Sequence, residues 1–293
     1  MRPDDSSLGP EQNETVRRQA DRLLREASAI GRFPTPVDDL MDAAKLIVIE
    51  NEVLDDHALR RFMRKADAGL ATLRAALSKV LGLFEPHDRL VVIDRLTPAP
   101  RVPFIKLHEA GHGYLPHQSG LYKLIHDCEK TLDPDITDLF EREANAFASE
   151  VLFQGATFAT EAHDSAFSLK VPLALAKKYG ASNYSTFRRY VITSPRPCSL
   201  VVLEQPTPTL YGDFRADVRR IVSSKQFSDI FDTSALSAPI HGRHTLGSIV
   251  PRSKRMTAPT PIYLKNRNGE YSRCVAEAFN TSHQILILIR YAE

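Results

Sequence analysis

Apolar residues recur along this chain with two different periods, and the change falls near residue 195. Up to that point the spacing is mostly helical. Val16, Ala20, Leu23, Leu24, Ala27 and Ile30 predict an amphipathic helix over 12–30. Pro34-Thr35-Pro36 predicts a second helix, with Thr35 as N-cap and Pro36 in first position, running to about Leu46 through Val37, Leu40, Met41 and Ala44. Ile47-Val48-Ile49 reads as a short strand. Ala66, Leu70, Leu73 and Leu77 line one face of a helix over 54–78. Val80 to Phe84 and Leu90 to Ile93 are strand-like, joined by the turn Glu85-Pro86-His87-Asp88. Thr97-Pro98-Ala99-Pro100 is a loop, and a helix starts near Pro103. Asp138 to Leu152 is a long helix whose stripe is Phe140, Ala144, Phe147, Ala148, Val151 and Leu152.

Further along, Val171 to Tyr179 reads as a helix with Gly180 at its C′ position, and Ser182 caps a helix from Asn183 to Ile192. Two helices around a tight Gly-containing turn make a helix-turn-helix-like segment, with Arg188 and Arg189 as candidate nucleic-acid contacts. Ser194-Pro195-Arg196-Pro197 marks a boundary. Beyond it, Ser199 to Leu203, Pro261 to Leu264 and Gln284 to Ile289 are strand-like, Asn268-Gly269 signals a hairpin, and Phe214 to Val222 reads as a helix. The fold class is therefore α+β. The expected parts are a disordered lead over 1–11, a domain over 12–161, the helix-turn-helix-like segment over 162–194, and a C-terminal α+β domain over 195–293, a candidate sensor or docking module.

The chemistry concentrates in His108-Glu109-Ala110-Gly111-His112, inside an apolar stretch. On a helix, residues four apart lie one above the other, so both imidazoles can face one ion, and Glu109 can reach a water on it. Gly111 costs about 1 kcal/mol relative to Ala in a helix, which close approach of a backbone or a metal would explain. A catalytic site needs a third protein ligand and an open position. On the long helix, Glu141 lies beside the apolar stripe and can face the first helix across an interface that Ala144 and Ala148 keep thin. One turn on, Asn145 can hydrogen-bond a metal-bound histidine. Glu143 and Glu150 read as solvated carboxylates. A metzincin would place a third histidine where Gln118 stands, which favours Glu141. Tyr114, His117, Tyr122 and His126 are nearby candidates for stabilising an oxyanion, and the sequence does not choose among them.

Together, HEAGH and Glu141-Arg142-Glu143-Ala144-Asn145-Ala146-Phe147-Ala148-Ser149-Glu150-Val151-Leu152 resemble the ImmA/IrrE family of metallopeptidases, whose pattern is HExxH followed by ExxAN-x-FA-x-x-LL. The resemblance implies a mainly helical zincin-like peptidase core with a small β-hairpin or sheet. It implies zinc on His108, His112 and Glu141, Glu109 as general base, and Asn145 bonded to a ligand histidine. It also implies a cytoplasmic protease that cuts a specific helix-turn-helix repressor. Family members often end the second helix in Leu-Leu-Met-Pro. Here the chain runs Val151-Leu152-Phe153-Gln154-Gly155, so the cleft rim differs. Zinc suits imidazole ligands, with manganese as the alternative metal.

Composition bounds these expectations. Apolar content of 43% supports real cores, and no stretch approaches 18 uncharged apolar residues, so no membrane span is expected. The first residues contain no hydrophobic signal region. Cys128, Cys198 and Cys274 are odd in number and scattered, which points to a reducing compartment and not to a disulfide scaffold. Residues 1–161 carry net charge −7 and residues 162–293 carry +9. The basic half keeps open contact with nucleic acid or an acidic partner. His241 and His244 read as a solvated loop pair. The rival to a regulatory protease is a non-proteolytic DNA- or protein-binding regulator with a structural or vestigial metal site.

Overall fold

The structure, a computed structural model, describes residues 5–51, 82–128, 133–209, 212–252 and 255–292. The helix expected over 54–78 lies outside the described residues. The chain divides into two compact units, Met1–Phe158 with Lys178–Ala181, and Ala159–Lys177 with Ser182–Glu293. It is a mixed α+β protein. Among the described residues, no helix is long and apolar enough to cross a membrane.

The first unit holds helices α1 (Pro10–Glu26), α2 (Val37–Ala43), α3 (Val102–Tyr114), α4 (Pro116–Cys128) and α5 (Pro134–Leu152). Its strands are β1 (Ile47–Asn51), β2 (Gly82–Glu85) and β3 (Leu90–Asp94), in sheet order β1-β3-β2. β1 runs parallel to β3, with Ile47 opposite Leu90, and β2 runs antiparallel to it, with Phe84 opposite Val91. α1 buries Val16, Ala20, Leu23 and Leu24 and packs on α5. Of the lead expected to be disordered, residues 5 and 7 are held: their carbonyls accept from Asn145 Nδ2 at 2.9 Å and Arg142 Nη1 at 2.8 Å. Thr35 does not cap α2, whose N-cap is Pro36. The Thr35 hydroxyl instead donates to the Leu152 carbonyl at 2.8 Å, because the side chain is buried against the end of α5.

Helix α3 starts as expected, with Pro103 in its first turn, where no amide hydrogen is needed. Asp133 caps α5 by accepting from the Asp135 N–H, and Pro134 follows it. The two helices cross at Gly111. A Cβ there would stand 3.1 Å from Ala144 Cα and 3.3 Å from Ala144 Cβ. Backbone thus meets backbone, which explains the glycine inside a helix.

The second unit contains most of α7 (Lys170–Tyr179), all of α8 (Asn183–Ile192), and part of α6 (Ala156–His163). Gly180 takes φ +69 after α7, and Ser182 caps α8 by accepting from the Ser185 N–H, as read from the sequence. The strands are β4 (Cys198–Leu203), β5 (Thr207–Pro208), β6 (Phe214–Arg215), β7 (Val218–Ser223), β8 (Thr260–Lys265), β9 (Tyr271–Asn280) and β10 (Ile285–Tyr291), with a short helix α9 (Lys225–Ile230). Five of them form an antiparallel sheet, β7-β4-β10-β9-β8. One face, including Val201, Leu203, Ala276, Ile285 and Ile287, packs a core with Phe227 and Phe231. The helix expected over 214–222 is a correction: those residues form β6 and β7. Val218, Ile221 and Val222 are β-branched, and β4 offers them a pairing edge, with Val201 opposite Ile221.

Gly111→Val is expected to destabilise the protein by about 1–3 kcal/mol, since the added methyls would push against the α5 backbone. Urea unfolding at one temperature measures it. Unchanged stability would show that α3 and α5 can separate without loss.

Candidate metal centre

α3 carries His108 and His112 one turn apart, and α5 carries Glu141 opposite them. His108 Nε2 lies 3.3 Å from His112 Nε2 and 3.3 Å from Glu141 Oε2, and His112 Nε2 lies 3.5 Å from Glu141 Oε1. Among the described residues, these three form the one cluster that can hold a metal ion. Tetrahedral zinc with bonds of about 2.0–2.2 Å sets its ligand atoms roughly 3.3–3.6 Å apart. The spacing and the two-imidazole, one-carboxylate donor set both fit that ion. His241 and His244 lie in a loop with ring centroids 6.4 Å apart and join no such cluster.

Electrostatics at the cluster are steep. Burial pushes the Glu109 carboxyl up from its usual range, the two histidines pull the other way, and Glu141 adds to the rise. Glu109 also accepts a hydrogen bond from the Phe84 backbone N–H on β2. Burial alone would raise Glu141 as well, but hydrogen bonds from His108 and His112 more than offset it and hold its carboxyl well below the usual carboxylate range. For His112, burial opposes charge, yet the Glu141 hydrogen bond and charge raise it overall.

The outer partners of the two rings differ. His108 Nδ1 faces Asn145 Oδ1 at 3.1 Å, and Asn145 Nδ2 donates to the Asp5 carbonyl at 2.9 Å. With its amide so oriented, Asn145 can only accept, so His108 Nδ1 carries the hydrogen and Nε2 is free for an ion. His112 Nδ1 faces Gln118 Oε1 at 2.8 Å. Gln118 figured in the sequence only as the position a third histidine would take, and its amide was not legible as a partner.

Glu143 and Glu150 are corrections. They are 5% and 7% exposed, not solvated. Glu143 Oε2 meets His117 Nε2 at 2.6 Å and Gln118 Nε2 at 2.7 Å, and Glu150 lies 3.7 Å from the Arg17 guanidinium. α1 and α4 cover faces of α5 that its own periodicity leaves polar. The candidate oxyanion donors also separate. The Tyr114 hydroxyl donates to Glu26 Oε2 at 2.7 Å, on α1. His117 is engaged with Glu143. The His126 side chain lies outside the described residues. Tyr122 packs edge-on against His112 at 5.5 Å and against Phe140 at 5.7 Å. Its phenol is raised first by burial and then by Glu141 and Glu109, so it stays a donor. Among the described residues its hydroxyl has no hydrogen-bond partner. Arg188 and Arg189 are half-buried on α8, which packs on β4 and β7.

Residues 64–186 match the family model of the M78 peptidases, the IrrE N-terminal-like domain. This part of the chain belongs to the ImmA/IrrE family. The M78 match spans α3, α4 and α5, and so contains His108, Glu109, His112 and Glu141. Among solved structures, a Mycobacterium tuberculosis transcriptional regulator is similar in fold, with TM-score 0.53 and 13% identity, over 96% of this chain and 90% of that one. No curated protein matches the chain significantly.

Two outcomes follow for metal binding. Glu141→Ala removes one of three donors, and its zinc affinity is expected to fall by more than about 100-fold, beyond the loss typical of outer partners. Metal content of both purified proteins reads it, and equal content would exclude Glu141 as a ligand. Zinc needs neutral imidazoles, and His112 in the metal-free protein holds its proton above the ordinary histidine range. Affinity should therefore fall as pH drops from about 8 to about 6, read by chelator competition. A flat profile would mean that the histidines are not ligands.

Proposed function

We propose that this protein is a zinc-dependent endopeptidase of regulatory type that cleaves a specific protein, such as a helix-turn-helix transcriptional repressor. The observation that carries this reading is Glu109, a buried carboxylate of raised pKa directly beside a three-donor metal cluster. A structural metal site has no use for such a group. Membership of a metallopeptidase family supports the reaction class. The resemblance to repressor-cleaving proteases supports the substrate, and the fold likeness to a protein described as a transcriptional regulator is in keeping with it.

When bound, zinc at this cluster, or manganese in its place, supplies Lewis-acid polarisation of a peptide carbonyl and lowers the pKa of water. The chain's own residues do the rest. Glu109 takes the water proton on its carboxylate and later delivers it to the leaving amine, a task to which a raised pKa suits it. Tyr122 donates its hydroxyl hydrogen to the oxygen that becomes negative as the carbonyl is attacked. β2 is an edge strand among the described residues and touches the site through the Phe84 N–H. An extended substrate can add to that edge as another strand, held by main-chain hydrogen bonds.

Glu109→Gln is expected to keep its zinc and lose about 10²–10⁴-fold in kcat on a purified repressor substrate. Tyr122→Phe is expected to lose about 10²–10³-fold in kcat with KM little changed. Cleavage by Glu109→Gln at the wild-type rate would sink the mechanism, and full activity in Tyr122→Phe would remove that residue from it.

A further inference from the structure

Beneath His112 runs a buried polar chain that the peptidase chemistry above does not use. Gln118 Nε2 donates to the Phe140 carbonyl at 3.2 Å and to Glu143 Oε2 at 2.7 Å. The Phe140 carbonyl is an acceptor at any pH, so the Gln118 amide fits only one way round, with its NH2 toward α5. That leaves Oε1 facing His112 Nδ1 at 2.8 Å. An amide oxygen only accepts, so His112 Nδ1 must carry a hydrogen, and Nε2 is the nitrogen that faces Glu141 and His108. His117 Nε2 closes the chain at 2.6 Å on the same Glu143 oxygen. Gln118 is fully buried and Glu143 nearly so, whereas the His117 side chain is 43% exposed.

We propose that Gln118 and Glu143 are positioning residues acting in series, with Glu143 holding the Gln118 amide together with the Phe140 carbonyl and that amide fixing the ring orientation and tautomer of His112. The inference rests on the metal-centre reading above and adds a second arm to it. The Asn145 arm holds His108 from the ligand helix itself, one turn from Glu141. The Gln118 arm holds His112 from α4, and it reaches α5 through a carboxylate two residues from Glu141. The two imidazoles are thereby locked from different helices. Without Gln118, the His112 ring can turn over or hold its hydrogen on Nε2, and an ion must first select the competent form. A fully buried glutamine is expensive unless every polar atom is matched, and here the matching is what sets the tautomer.

Chelator competition with zinc on the full-length protein tests this, beside thermal melting of the metal-free forms. Gln118→Met keeps the volume and removes the amide, and should weaken zinc about 10–100-fold. Glu143→Met should weaken it in the same direction, whereas Glu143→Gln keeps an acceptor for the amide and should stay within about 3-fold of wild type. Because the residues act in series, the double variant Gln118→Met/Glu143→Met should lose no more than the worse single variant. Losses that multiply would show two independent effects and overturn the chain. Wild-type affinity in Gln118→Met, or lower metal-free melting with unchanged zinc affinity, would assign a packing role only and also overturn it. Should Gln118→Met fail to fold, the contrast between Glu143→Met and Glu143→Gln decides. A wild-type protein that binds no zinc would reject the metal centre itself, a failure distinct from that of the chain.

Discussion

The arrangement of His108, His112 and Glu141 at the candidate metal centre depends on how closely α3 and α5 can approach. Imidazole and carboxylate side chains are short, and their donor atoms meet within 3.3–3.5 Å only if the two backbones nearly touch. Gly111 opposite Ala144 permits that contact. Gly113, two residues on, lets the same helix press against β2, where a Cβ would stand 2.8 Å from the Phe84 ring. One helix face therefore fixes the ligand separation, and the other fixes Glu109 against the edge strand. Apolar stripes on α1 and α5 hold this geometry, with Val16, Leu23 and Phe147 fully buried.

A close helix pair alone would leave two rings free to spin. The orientation comes from amides. Asn145 presents an oxygen to His108 and Gln118 presents one to His112, and each amide has its NH2 tied to a carbonyl. A carbonyl does not titrate, so this part of the scaffold keeps its polarity at any pH, while the histidines and carboxylates it serves can change theirs. The Asp5 carbonyl also brings the start of the chain into the centre, joining local structure at the N-terminus to packing on α5.

The sequence was readable where one helix explains itself. The 3.6-residue stripe of α5 and the four-residue histidine spacing of α3 survive unchanged, and so does the close approach inferred from Gly111. It was unreadable where a second element supplies the reason. Glu143 and Glu150 look solvated on the α5 wheel, and they are buried because α4 and α1 lie over them. Thr35 has the chemistry of a cap, but the Leu152 carbonyl claims its hydroxyl. Tyr114 and Tyr122 lie two and ten residues after His112, a difference that does not choose between them, and the Glu26 carboxylate is what claims the Tyr114 hydroxyl. Val218 to Val222 alternates weakly enough to pass for helix until β4 is placed beside it.

The energetics of burial bear on the rival reading, a binding regulator with a vestigial metal site. Glu109 and Glu141 are like charges in one desolvated site, and Glu141 adds to the rise in Glu109. Removing an ion from water has an effective cost of several kcal/mol even after relaxation. A bound divalent cation offsets that cost for both carboxylates at once. A purely structural zinc would be served as well with Gln or Leu at position 109, at lower cost to the fold. A carboxylate at position 109, beside the three candidate metal donors and not among them, suits the proton transfer of the hydrolase proposed above better than a purely structural site.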